Sequence, residues 1–258
     1  MNENKYKKIE SSQNNQIKTL GKLGQKKYRN ELGKFAVENL TIIYDALVDG
    51  YDFEALFITE EIIKRHPEKI KFLEDNSKAK EFYIIDEKIN KHYSQLDTSS
   101  GITVVYKIEA NELKDESVVY LNGINDPGNL GTIMRSALAF DFNNFVLDKT
   151  CVDVYNAKTI NAAKDSIFKL NIVEDKDGAW LKNNCLPLYA TSLNEAISLE
   201  EFKPASKFCL VLGSESHGVS EEIYAMADEK IKIEIGSKIE SLNVASAAAI
   251  LFYELRKK

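Results

Sequence analysis

The chain has 258 residues, 44% of them hydrophobic and 29% charged, with a formal net charge of −6; at ~100–200 residues per domain this allows one large domain or two small ones. No apolar run reaches the ~18 residues of a membrane span, and Met1–Ile9 carries no apolar segment of the kind a secretory signal needs. Cys151, Cys185 and Cys209 lie far apart, so no zinc-site spacing is present and no metal is expected; an odd, sparse set reads as buried, reduced thiols of a cytoplasmic protein.

The charge is uneven. Through Lys34 there are nine Lys/Arg and three Asp/Glu, so that segment carries +6 and the remainder −12. A basic arm on an acidic body is compatible with RNA contact at one end, and also with a solvated helix or tail. Residues 1 to about 30 are polar and read as an arm that is partly disordered.

From Phe35 the pattern becomes periodic. Phe35–Glu38 reads as a short strand, and Leu40, Ile43, Tyr44 and Leu47 follow the i, i+3, i+4, i+7 spacing of a helix. Apolar runs at Ala55–Thr59, Phe82–Asp86 and Ile102–Ile108, with polar helical stretches between them, make a small α/β unit. The charged stretch Ala110–Ser117 marks its boundary, which gives domains of 1–112 and 113–258. Beyond it Val118–Ile124, Phe145–Asp148, Leu186–Thr191, Phe208–Gly213 and Ile231–Ile235 read as buried strands alternating with helices. That alternation predicts a mostly parallel sheet, whose ligands bind outside the carboxyl ends of the strands.

Three of the loops at those ends carry chemistry. In Asn122-Gly-Ile-Asn-Asp-Pro-Gly-Asn-Leu-Gly131 a turn leads into a helix for which Asn129 is a good N-cap. Leu130, Ile133, Met134, Ala137 and Leu138 share one apolar helical face, and Arg135 falls off it between the small residues Gly131 and Ala139. In Leu212-Gly-Ser-Glu-Ser-His-Gly-Val-Ser220 an apolar strand enters a loop with a glycine at each end, where backbone can approach a ligand closely. Ser220 can cap a helix opening with Glu221 and Glu222. Ser216 and His217 invite a hydrolase reading, but Glu215 occupies the place a nucleophile elbow reserves for serine. In the third, Ile231–Ile250, a strand passes through a loop into an alanine-rich helix capped by Ser241 or Asn243. No G-x-G-x-x-G follows a strand, and no phosphate loop is present.

Taken together, in this order, the loops resemble the three motifs of the SpoU/TrmH family of RNA ribose 2′-O-methyltransferases. The first is Asn122/Asn125-Asp126-Pro127…Asn129…Gly131…Arg135, the second Leu212-Gly213…Glu215…Gly218, and the third Ser241-Leu242-Asn243-Val244. The match covers roughly residues 117–258. The stretch Lys27…Arg29…Phe35-Ala36-Val37-Glu38 is similar to the opening of the L30e-like substrate-binding domain of rRNA-modifying members.

The resemblance implies an α/β chain in which an L30e-like domain precedes a parallel-sheet domain tied in a deep trefoil knot. It implies a cytoplasmic homodimer that moves a methyl group from S-adenosylmethionine to a ribose 2′-oxygen of RNA, rRNA before tRNA. By this similarity Arg135 is the central catalytic residue, supported by Asn129, Glu215, Ser241 and Asn243. Gly213, Ser214, Ile233, Ile235, Leu242 and Thr191 hold the cofactor, and Lys22, Lys26, Lys27 and Arg29 contact RNA. Two departures stand out: Ile233-Glu234-Ile235 replaces the family's Ile-Pro-Met, and Asn161 stands where many members carry arginine, with Lys158 or Lys164 as substitute cations. A non-catalytic RNA-binding or ribosome-assembly factor on the same fold is the alternative reading.

Overall fold

The structure, a computed structural model, describes residues 5–256; the first four residues of the expected arm lie outside them. The chain divides into two compact units, residues 1–110 with 155–168, and residues 111–154 with 169–258.

The first unit opens with β1 (Tyr6–Lys8), α1 (Asn15–Leu23) and α2 (Lys26–Leu32), followed by β2 (Lys34–Val37), α3 (Leu40–Val48), β3 (Ala55–Thr59), α4 (Glu60–Arg65), α5 (Pro67–Asn76), β4 (Glu81–Ile85), α6 (Glu87–Tyr93) and β5 (Ile102–Lys107). Its sheet has the order β1-β4-β3-β5-β2. The first three strands of that order run parallel, and β5 pairs antiparallel with both β3 and β2. Every residue of β3 is buried, as befits a strand covered on both faces.

The basic arm is not a tail. Ile9, Ile17, Leu20 and Leu23 are buried in a cluster with Phe57, Tyr83 and Ile89. The polarity of the segment concealed a three-residue strand and two short helices, because only a few apolar positions per element face the core. Asn14 accepts from Gln16 N to cap α1, and the left-handed Gly33, at φ 62°, ends α2.

The second unit begins with β6 (Val118–Asn122), α7 (Pro127–Ala139) and β7 (Asn144–Asp148). The chain then supplies α8 (Ala157–Ala163) and α9 (Ser166–Lys169), most of which belong to the first unit. There Tyr155, Ile160 and Phe168 pack against the cluster containing Phe35 and Tyr106, with Phe35 and Tyr155 ring centroids 4.6 Å apart. Nothing in linear order distinguishes this insertion from an ordinary crossover.

The second unit continues with β8 (Asn171–Asp175), α10 (Ala179–Lys182), β9 (Leu188–Thr191), β10 (Ile197–Ser198), β11 (Cys209–Gly213), α11 (Glu221–Tyr224), β12 (Glu229–Lys232) and α12 (Val244–Leu255). Its seven strands are ordered β10-β12-β9-β11-β6-β7-β8, and every pairing is parallel. From β6 the strands step outward through β7 to β8. The chain then crosses to β9, and β11 fills the place between β9 and β6. The direction of winding therefore reverses around β11 and β6, the kind of position near which ligands of open parallel sheets bind.

Three further features differ from expectation. The last strand is Glu229–Lys232 rather than Ile231–Ile235, because residues 233–243 leave the sheet to form a long loop. Strands β8 and β10 carry too few buried residues to register as apolar runs. Cys185 is exposed, whereas Cys151 and Cys209 are buried.

Leu130, Ile133, Met134 and Ala137 of α7 are fully buried, which locks that helix; each of the larger three contributes ~1.5–3 kcal/mol by leaving water. In α12 the small residues Ala245 and Ala248 are buried in the first half and Leu251, Phe252 and Leu255 in the second, so the helix can approach its neighbours closely near its start.

Candidate functional site

A cavity of about 470 Å³ opens at the carboxyl ends of β9, β11 and β12 and at the start of α12. Volumes of ~300–1,000 Å³ are typical of small-molecule sites. Its wall mixes apolar side chains (Leu212, Ile231, Ile233, Ile235, Leu242, Val244) with backbone-rich loops. All six residues assigned to cofactor binding, Thr191, Gly213, Ser214, Ile233, Ile235 and Leu242, line it.

The floor of the cavity depends on one glycine. A Cβ on Gly213 would lie 2.1 Å from the carbonyl carbon of Gly218 and 2.2 Å from Val219 N. This close approach lets Ser214 and Gly218 exchange backbone hydrogen bonds of 3.0 and 2.9 Å, which fold residues 214–218 into a tight loop with Glu215 in it. Gly218 has φ 67°, a conformation open to glycine at little cost.

Glu215 faces the start of α12. The Asn243 side chain caps that helix, its Oδ1 accepting from Ala245 N and Ser246 N at 3.0 and 3.2 Å. Its Nδ2 donates to Glu215 Oε1 at 2.5 Å and to Asn129 Oδ1 at 2.9 Å. Val244 N points at the same Glu215 oxygen from 3.4 Å. One residue from each of the three loops therefore meets in a single set of hydrogen bonds, with a carboxylate at the positive end of a helix.

Asn129 is not an N-cap. That position falls to Asp126, whose Oδ1 accepts from Asn129 N at 2.7 Å. Pro127 supplies the first turn, so α7 begins three residues earlier than expected and Asn129 keeps its side chain for Asn243. Arg135 stands exposed on α7, outside the cavity lining, while Gly131 one turn before it is buried. Ser241 lines the cavity.

Ser216 and His217 also line it, with Ser216 Oγ 2.8 Å from His217 Nδ1. Among the described residues no carboxylate bonds to that ring, so the third member of a hydrolytic triad is missing. Residues that the motifs did not single out complete the wall. Tyr224 donates its hydroxyl to Thr191 O at 2.9 Å, and Lys230 lies 4.8 Å from the Tyr224 ring. A tyrosine four residues into a short helix gave no periodic signal; only the fold turns it toward β9.

In the first unit Lys22, Lys26 and Lys27 are exposed at the turn between α1 and α2. The ammonium groups of Lys22 and Lys27 each lie 5.6 Å from the Tyr28 ring. Arg29 does not belong with them. It is only 4% exposed, and its Nη1 donates to Leu23 O at 2.6 Å, so it braces the end of α1 instead of reaching a ligand. Asn161 likewise works inward, accepting from Asn39 Nδ2 and donating to Ala157 O, both at 3.0 Å.

The SpoU rRNA Methylase family matches residues 116–253, and the MRM3-like substrate binding domain matches residues 14–104. The chain is 29% identical over 254 residues to the 23S rRNA (guanosine(2553)-2'-O)-methyltransferase RlmP of Bacillus subtilis, spanning 97% of this chain and 99% of that protein. Among solved structures, a TrmH-family protein from Porphyromonas gingivalis superposes with a TM-score of 0.81 at 29% identity, covering 96% of this chain and 98% of that one. The AdoMet-bound rRNA methyltransferase from Sinorhizobium meliloti gives 0.80 at 24% identity, covering 97% of each, a likeness of fold. Among the described residues, no helix is long and apolar enough to cross a membrane.

Proposed function

The chain belongs to the SpoU rRNA methylase family and is a ribose 2′-O-methyltransferase of RNA; from that premise we propose that its RNA is ribosomal, that S-adenosylmethionine occupies the cavity beside Gly213, and that Arg135 is the central catalytic residue. The observation that carries this reading is the junction of Asn129, Glu215 and Asn243, one residue from each motif, beside the cavity that Glu215 lines. The cavity suits the cofactor chemically. Leu212, Ile231 and Leu242 offer apolar surface to an adenine ring, and the polar side chains of Thr191, Ser214 and Ser241 line the same cavity.

S-adenosylmethionine supplies a methyl group on a sulfonium, which is already a good leaving group. The chain's own task is alignment, which can be worth ~7–11 kcal/mol. Arg135 holds an RNA phosphate and stabilises negative charge developing on the 2′-oxygen, whose proton passes to that phosphate or to water; a guanidinium stays charged and is no base. Asn243 and Glu215 tie together the two loops that would hold the cofactor, and Lys22, Lys26 and Lys27 contact RNA from the first unit. The match to a substrate-binding domain of the MRM3 type and the rRNA-modifying relatives support rRNA over tRNA. The same family reading carries a trefoil knot at α12, a homodimer and a cytoplasmic location.

The test is methyl transfer from tritiated S-adenosylmethionine to unmodified rRNA and tRNA transcripts, with Arg135→Ala as control. Label in rRNA, lost in the variant and recovered as a 2′-O-methylated nucleoside, is the expected result. Label in tRNA alone would reassign the substrate. No label together with no calorimetric binding of S-adenosylmethionine would favour a non-catalytic RNA-binding protein.

A further inference from the structure

Asn122 ends β6, between Asp148 at the end of β7 and Ser220 after β11. Its Nδ2 donates to Asp148 Oδ2 at 2.6 Å, and its Oδ1 accepts from Ser220 N at 2.9 Å. The polarity of this bridge is dictated from one side. A carboxylate accepts and cannot donate, so Asp148 forces the amide nitrogen toward itself and the amide oxygen toward the loop. Asp148 is itself held: its other oxygen accepts from Thr150 N, Thr150 Oγ1 and Cys151 N at 2.8, 2.7 and 3.0 Å. Cys151 Sγ in turn donates to Leu121 O at 3.2 Å and accepts from Ile124 N at 3.3 Å. The ends of β6 and β7 thus form one braced platform, from which the Asn122 amide oxygen reaches across to the loop that follows β11.

What it reaches is the far end of the loop carrying Glu215. Gly213 and the Ser214–Gly218 pairing fix that loop at its start; the bond to Ser220 N fixes it at its finish. We propose that Asn122 is a positioning residue for methyl transfer: oriented by Asp148, it sets the place of the 214–220 loop and thereby of Glu215 against Asn243. The inference rests on the reading of Glu215 as part of the methyltransferase site.

The polarity of the bridge can be broken and then reversed by substitution. Asn122→Asp sets two carboxylates face to face. Asp148→Asn, its oxygen kept by the Thr150 and Cys151 donors, turns a donor toward Asn122, so that the Asn122 amide must present its own donor to Ser220 N. The double variant N122D/D148N restores complementarity with the polarity reversed. In it the new amide at position 148 keeps its oxygen for Thr150 and Cys151 and donates to the new carboxylate at position 122, which accepts from Ser220 N. Each single variant should lower kcat for RNA methylation about 10–100-fold, the scale of a small misplacement of reacting groups. The Kd for S-adenosylmethionine should move less than about threefold, and kcat of the double variant should return to within about threefold of the parent. Hydrogen exchange of the 214–224 peptide, read on the same full-length proteins, should quicken in both single variants and recover in the double. Exchange unchanged in the single variants, or no recovery in the double, overturns the proposal whether or not the parent transfers methyl groups. Exchange that follows the polarity in a parent with no activity upholds the bridge and defeats the methyltransferase reading instead.

Discussion

Asn243 donates to Glu215 Oε1 at 2.5 Å from the same side chain whose oxygen caps α12. One amide therefore does two separable jobs, helix capping through Oδ1 and loop bridging through Nδ2.

Asn243→Ser separates them. Serine caps about as well as asparagine, so stability should change by less than about 1 kcal/mol, but its short side chain cannot reach Glu215 or Asn129. Methyl transfer should fall about 10–100-fold with Tm nearly unchanged. Calorimetric unfolding alongside single-turnover kinetics checks both halves; a parallel loss of stability and rate would show that the cap alone mattered.

Gly213→Ala should be far more damaging than its size suggests, because the added Cβ meets backbone, which cannot swing aside like a side chain. The 214–218 loop must open, and binding of S-adenosylmethionine should weaken at least ~10-fold, or ~1.4 kcal/mol. Titration calorimetry on the folded variant measures it, and unchanged affinity would place the ligand elsewhere.

The lysines of the first unit and their arginine neighbour should behave differently. Replacing Lys22, Lys26 and Lys27 together by alanine should weaken RNA binding and flatten its salt dependence, by ~0.7 in log–log slope for each phosphate no longer neutralised on single-stranded RNA. Arg29→Ala should instead cost stability, on the order of 1–3 kcal/mol, by leaving the buried Leu23 carbonyl without its donor. Filter binding across a salt series and thermal unfolding distinguish the two effects.

Glu38, 7% exposed, has one oxygen accepting from Gln95 N at 3.1 Å and the other without a partner. Burial raises its pKa, against the smaller opposing pull of hydrogen bonds from Ser94 and Gln95. A folded-state pKa above the unfolded one means that ionisation costs stability, fully so above the raised value and not at all below the ordinary carboxylate range. Glu38→Gln should therefore be more stable than the parent at pH 7–8, with the gap shrinking as pH falls through the raised pKa. Tm measured from pH 4 to 8 for both proteins tests the sign.

The three thiols should differ in reactivity. Burial, reinforced by the Asp148 charge, pushes Cys151 up to about 12, and burial also raises Cys209, so neither forms much thiolate near neutral pH. Cys185 is exposed. Brief alkylation at pH 8 should place a single label, on Cys185, and three in denaturant; intact-mass spectrometry counts them.

Most of the strands and the motif chemistry were legible in residue type and order alone. Ala55–Thr59 and Phe208–Gly213 are apolar runs because both their faces are covered, and burial of that kind is written into residue type. The turn Asp126-Pro127-Gly128 and the neighbours of Glu215 were legible for a similar reason, since local backbone demands select particular residues. Tertiary structure decided what depends on partners distant in the chain. It turned a charged arm into two helices by giving Leu20 and Leu23 a sheet to cover, and it buried Arg29, which the family resemblance places among the RNA contacts. It assigned residues 155–168 to the first unit through Phe35 and Tyr106. It also joined Asn129, Glu215 and Asn243, and placed Asn122 between Asp148 and Ser220. Hydrogen bonds across 98 residues of chain leave no periodic trace, because only the winding of the sheet brings their donors and acceptors within reach.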